Sequence, residues 1–167
     1  MLKRGLALVL CLLLPLTALA EGMTPAATGP AAYAVWDGWT RLEGNETTDY
    51  YCRDAGDLLA GYLSVTVSDA SAWSGAIAEA GAEAFLLDVA RAMAAELTDG
   101  KVTPEAEAAD GGPAVRFTCP FMHTDATAAC LVFLAGDSVC AVIYLERGLT
   151  PEQAAEKLAQ TGAAAAR

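Results

Sequence analysis

The chain has 167 residues, 54% hydrophobic and 19% charged, with 10 Lys and Arg against 21 Asp and Glu and a net charge of −11. That length suits one ordinary domain, and its near-average Gly and Pro content excludes a disordered or collagen-like chain. The acidic balance excludes a nucleic-acid binder, whose surface must neutralise phosphate, and one histidine in the whole chain speaks against histidine-based catalysis.

In chain order, the first element is an export signal. Lys3 and Arg4 form a positive n-region, Leu6 to Leu14 an apolar run broken by Pro15, and Ala18-Leu19-Ala20 a small-residue cleavage site. The apolar run is short for a bilayer crossing and no stop-transfer pattern follows. Cys11 lies inside that run behind Leu10, where a lipid-attachment motif needs a small residue. Residues 1–20 are therefore expected to be a signal peptide that leaves no stable membrane anchor, and the protein to be secreted. Their removal takes Lys3 and Arg4 and no acid, so the charge of −11 becomes −13 over 147 residues. Such a surface favours solubility and is repelled by anionic lipid.

Residues 21–32 (EGMTPAATGPAA) lack apolar periodicity and read as a flexible leader. One domain is expected over 33–162. Tyr33 to Leu42 suggests a strand interrupted near Asp37-Gly38, Thr47 to Arg53 a second, and Gly61 to Ser68 a third, in which Leu63, Val65 and Val67 alternate with Ser64, Thr66 and Ser68. Ser68, Asp69 and Ser71 are candidate caps for a long helix over Ile77 to Leu97, which Gly81 could divide. Phe85, Val89, Met93 and Leu97, widened by Leu86 and Ala90, form its apolar stripe, and Asp99-Gly100 its stop.

Lys101 to Ala109 suggests a short edge strand before a turn at Asp110-Gly111-Gly112. Pro113 to His123, Ala128 to Ala135 and Val139 to Glu146 then form an antiparallel meander with turns at Thr124-Asp125 and Gly136-Asp137. Thr150, Pro151 and Gln153 predict a capped C-terminal helix that Gly162 ends. Its apolar face, Ala155, Leu158 and Ala159, is narrow, and residues 163–167 are expected to fray. The order of elements is α+β: an antiparallel sheet of five to seven strands, covered on one face by the long helix and the C-terminal helix. With its GYLSVTV strand, long helix, meander and TPEQAAEKL helix, the chain resembles over residues 33–160 the small exported domains of the Mog1/PsbP/DcrB-like group. The resemblance rests on element order and implies architecture only.

Signal cleavage leaves Cys52, Cys119, Cys130 and Cys140, an even number that in an exported chain reads as two disulfides with three possible connectivities. No CxxC and no paired histidine point to zinc or to thiol redox chemistry, so no metal or cofactor is expected. A turn centred on Thr124-Asp125 would set Cys119 against Cys130, leaving Cys52 for Cys140. His123 beside Asp125 is the one candidate general base, with Ser64 or Ser138 as nucleophile, but neither GxSxG nor SxxK accompanies it. Tyr33, Trp36, Trp39, Tyr50, Tyr51, Tyr62 and Trp73 concentrate the aromatics in one stretch. Of these, Trp36, Trp39, Tyr50, Tyr51 and Trp73 are the candidate ligand-binding set, either a carbohydrate-stacking or a protein-binding patch, against the plainer reading of strand and core residues. Glu43, Glu46, Asp49, Asp54 and Asp57 cluster without a calcium-loop pattern, although a pair of them could serve a glycosidase. Asn45-Glu46-Thr47 fits a glycosylation sequon. The expected function is a small secreted, non-enzymatic binding or accessory domain for a protein or carbohydrate ligand. The alternative is a secreted hydrolase using His123 or paired carboxylates.

Overall fold

A computed structural model describes residues 22–100, 107–108 and 113–165. The expected signal segment and most of the expected 101–109 strand, with its following turn, lie outside the described residues. The fold is α+β, with ten strands in two antiparallel sheets and three α-helices among the described residues.

The chain opens with β1 (Met23–Thr28) and β2 (Ala31–Trp36), paired from Met23–Trp36 to Thr28–Ala31. This overturns the flexible leader over 21–32. The Ala, Thr and Pro content that resembles a linker is a hairpin with a two-residue loop, in which Gly29 takes the left-handed φ of 51° that the tight turn demands. β3 (Thr40–Arg41) and β4 (Thr48–Cys52) follow, then a single 3-10 turn at Leu58–Ala60 and β5 (Tyr62–Asp69). After a 3-10 turn at Ser71–Trp73 come α1 (Ser74–Ala80) and α2 (Ala82–Thr98), divided at Gly81. No side chain caps either helix; Asp69 instead accepts the Ser71 amide in the preceding turn. Asp99 ends α2 in the left-handed conformation.

β6 (Glu107–Ala108), β7 (Ala114–Pro120), β8 (Ala126–Ala135) and β9 (Ser138–Arg147) complete the larger sheet, in the order β3-β4-β5-β9-β8-β7-β6. The last helix, α3 (Pro151–Gln160), carries the expected capping box, with the Thr150 hydroxyl accepting the Gln153 amide and the Gln153 side chain accepting the Thr150 amide. Beyond it β10 (Ala164–Ala165) pairs with Ala31–Ala32, so the smaller sheet runs β1-β2-β10. At 164–165, then, the chain is strand where fraying is expected, because β2 offers those two residues an open edge.

The two faces of the seven-stranded sheet have separate cores. On one, Leu63, Val65 and Val67 of β5 and Cys140, Val142 and Tyr144 of β9 meet Tyr33 and Val35 of the small sheet and Ala154 and Leu158 of α3. On the other, Val115, Phe117 and Cys119 of β7 and Ala128, Cys130 and Val132 of β8 meet Leu86, Ala90 and Ala94 of α2. The helices thus cover opposite faces, not the single face expected. β8 explains why: its continuous apolar run AACLVFLA has to be buried on both sides. On α2 the larger stripe residues Phe85, Val89, Met93 and Leu97 are half-buried, while the alanines seat the helix closely on the sheet.

Candidate functional site

The meander register decides the cysteines. Cys119 pairs with Ala128, and Cys130 with Phe117. The β7–β8 turn is centred one residue earlier than expected: the Thr124 amide donates to the Phe121 carbonyl, Met122 is left-handed, and the Met122 amide is held by the Leu97 carbonyl. A one-residue shift of the turn centre moves the register by two, which keeps every side chain on its face but changes its partner. Cys119 and Cys130 are therefore diagonal neighbours on one face of the sheet, not the directly opposed pair expected. Cys52 pairs with Tyr62 and shares its face of the sheet, whereas Cys140 pairs with Val67 and points into the opposite core, so these two do not face each other. All four are buried thiols. Burial pushes Cys119 and Cys140 up to about 11 and Cys130 well above its ordinary value, which keeps them protonated and unreactive.

The expected catalytic set does not assemble. His123 is exposed, its imidazole Nε2 3.7 Å from the Asp99 carboxylate. Asp125, the expected orienting acid, binds Arg147 instead. Ser138 opens β9 beside Ala135, at the far end of β8 from His123, and Ser64 is buried in β5 opposite Ile143. Among the described residues no three His, Cys, Asp or Glu side chains gather as a metal site.

The acidic cluster disperses as well. Asp57 caps the 3-10 turn and pairs with Arg147, Asp54 accepts the Gly56 amide, and Glu43 and Glu46 are exposed. Asp49 turns inward. Its carboxylate accepts hydrogen bonds from the Thr28 hydroxyl at 2.6 Å, the Tyr33 hydroxyl at 2.9 Å and Arg41 Nε at 2.8 Å. Burial opposes its ionisation, but the bonds from Thr28, Arg41 and Tyr33 outweigh that and hold the carboxyl below its ordinary value. A Cβ at Gly44 would lie 2.8 Å from Asp49 Oδ1 and from the Thr48 carbonyl, so only glycine lets the 44–48 loop close over this carboxylate. The cluster joins β1, β2, β3 and β4.

Two of the three tryptophans are committed to packing. Trp36 and Trp39 lie 4.8 Å apart and 5.4 and 6.2 Å from Tyr144, with Lys157 over Trp36 and Arg53 over Trp39, each at 5.9 Å. Arg53 is held in place by a bidentate pair with Glu146, which also accepts the Tyr144 hydroxyl. Each indole is thus packed against aromatic neighbours with a cation beside it. Tyr51 abuts Tyr33, and Tyr50 stacks on Tyr62 across β4 and β5. Of the expected patch only Trp73 is exposed, at 46%. Trp36, Trp39, Tyr50 and Tyr51 follow the plainer reading of strand and core residues.

A groove of about 940 Å³ lies elsewhere, between α3 and the β7–β8 face. Leu131, Phe133 and Thr118 form its floor, and Ala155, Ala159 and the chain at 163–165 its wall. The narrow apolar face of α3 accounts for it: alanines cannot fill the space that larger side chains would take above Leu131 and Phe133. The small residues are visible in the sequence, but no local pattern places them opposite β8.

No protein-family model matches the chain, and no curated protein is similar to it. A crystal structure from Bacteroides thetaiotaomicron is similar at 12% identity and a TM-score of 0.48, over 87% of this chain and 48% of that one. The chain thus spans about half the length of that protein. Among the described residues no helix is long and apolar enough to cross a membrane.

Proposed function

We propose that this chain is a small secreted, non-enzymatic binding domain that receives an apolar ligand in the groove between α3 and β7–β8. One observation carries the reading: the groove, at about 940 Å³, falls in the size range of small-molecule sites and is floored by Leu131 and Phe133. Two further points support it. Among the described residues the expected catalytic side chains are scattered or tied into ion pairs, which supports binding over hydrolysis. The export signal at residues 1–20 is the basis for secretion, and the element order is the basis for placing the chain near the Mog1/PsbP/DcrB-like group.

A fluorescent apolar dye, N-phenylnaphthylamine, tests the reading. Its emission is expected to rise on addition of the protein and to fall back by about tenfold in Ala159→Trp, which fills the groove from the α3 side. Equal dye binding by Ala159→Trp and the parent would refute the groove as the site.

A further inference from the structure

The sequence contains a single asparagine, Asn45, and it stands at the acceptor position of Asn45-Glu46-Thr47. Residues 43–47 are all exposed, in the loop between β3 and β4. The Asn45 carboxamide oxygen Oδ1 accepts both donors of Thr47, its amide and its hydroxyl, each at 2.8 Å. A backbone N–H can only donate, so the oxygen of the carboxamide faces Thr47 and the nitrogen Nδ2 is turned from it. Among the described residues Nδ2 has no hydrogen-bond partner. The backbone beneath is pinned, with the Asn45 amide donating to the Thr48 carbonyl and the Val67 amide to the Thr47 carbonyl.

The turn itself does not require asparagine. The same bond from a side-chain oxygen to the amide two residues on is made by Asp54 to Gly56, Asp57 to Leu59 and Asp69 to Ser71. Nor does Asn45 occupy the left-handed region, where asparagine has its other common use. What asparagine adds over aspartate at position 45 is a carboxamide nitrogen. Two donors on Oδ1 stabilise the negative charge that this oxygen takes up when Nδ2 gives up a proton, and one of those donors is the hydroxyl that only a Ser or Thr supplies from position 47.

We propose that Asn45 is the acceptor of an N-linked glycan, transferred to the folded, exported chain from an oligosaccharide carried on a lipid diphosphate. In that transfer Nδ2 bonds to the anomeric carbon of the first sugar and the bond from that carbon to the diphosphate oxygen breaks. The lipid diphosphate leaves with the electron pair, and the amide proton passes to a base of the transferase. Transferases that also demand an acid two residues before the acceptor find it in the exposed Glu43. β3 lies at the opposite edge of the large sheet from β6 and β7, so a glycan on this loop leaves the α3 groove open.

The test incubates the purified native chain with an oligosaccharyltransferase and a lipid diphosphate-linked oligosaccharide and reads intact mass, with an unrelated sequon peptide in the same mixture to report that the transferase is active. One glycan per chain is expected, released by peptide N-glycosidase with conversion of the Asn45 side chain to a carboxylate. The gain in mass should be lost in Asn45→Asp, which keeps the turn, and in Thr47→Val, which keeps the shape and loses the hydroxyl; Thr47→Ser should retain it. Both positions are exposed, so circular dichroism of these variants should match that of the parent. An unmodified native chain beside a modified control peptide would overturn the proposal, as would equal modification of Thr47→Val or a glycan still gained by Asn45→Asp.

Discussion

At the scale of single residues, the strongest commitment in the molecule is Asp49. A carboxylate with donors on several sides stabilises the fold only while it is charged and fully bonded, because removing it leaves Thr28, Tyr33 and Arg41 facing an empty site. Asp49→Ala is expected to lower unfolding free energy by about 3 kcal/mol in urea titrations at neutral pH. Since the folded carboxyl titrates below its unfolded value, its contribution is fully present above the unfolded pKa of about 4 and is lost as pH falls through the folded one. Parent and variant stabilities should therefore converge in acid. None of this was legible in the sequence, where Asp49 is one acid among five between Glu43 and Asp57. Its burial depends on the 44–48 loop closing and on the β1–β2 hairpin delivering Thr28 and Tyr33, both long-range events that local pattern does not encode.

Elements were legible in proportion to the chemistry that marks their ends. The α3 cap followed directly from Thr150, Pro151 and Gln153, and Thr150→Ala should cost about 1 kcal/mol in thermal or chemical unfolding. The β8–β9 turn was equally plain, because Gly136-Asp137 separates two apolar runs with no other residue able to turn. The β7–β8 turn was misplaced by one residue, since Thr124-Asp125 resembles a hairpin loop while Met122 adopts the left-handed conformation without any glycine to announce it. That one residue decided the disulfide expectation. The β1–β2 hairpin was missed because β1 is built mostly from Ala, Thr and Pro, whereas most of β2 was expected as strand from Tyr33; the signal for the turn was Gly29 beside Pro30. Gly29→Ala should destabilise by about 1 kcal/mol through strain at its positive φ, an effect that amide exchange in residues 23–36 would locate.

At the scale of the whole molecule, the two faces of the large sheet make an unequal pair. The face under α2 holds Cys119 and Cys130 and is sealed by alanines; the face under α3 and the small sheet holds Tyr33, Tyr144, Asp49 and the tryptophan cluster. Thiol titration with an aromatic disulfide should be slow in the native protein and fast in denaturant. It should count four thiols if residues 1–20 have been removed and five if Cys11 is retained. Alkali should open the fold by way of the tyrosines. Burial raises Tyr62 to about 12 and Tyr33 and Tyr144 higher still, so the stability they support is intact below the unfolded pKa of about 10 and is lost as pH rises beyond it. Tyrosinate absorbance should accordingly rise together with loss of far-ultraviolet ellipticity, not before it.

The small sheet has a temporal consequence. Its centre strand, β2, is made long before one of its neighbours, β10. The Ala34 amide likewise waits for the carbonyl of Thr161. A growing chain therefore cannot complete this layer before β10 has been made, and until then the β1–β2 hairpin lacks that partner. A chain truncated before Thr161 should remain open to protease at residues 23–36, and the 167-residue chain should resist it.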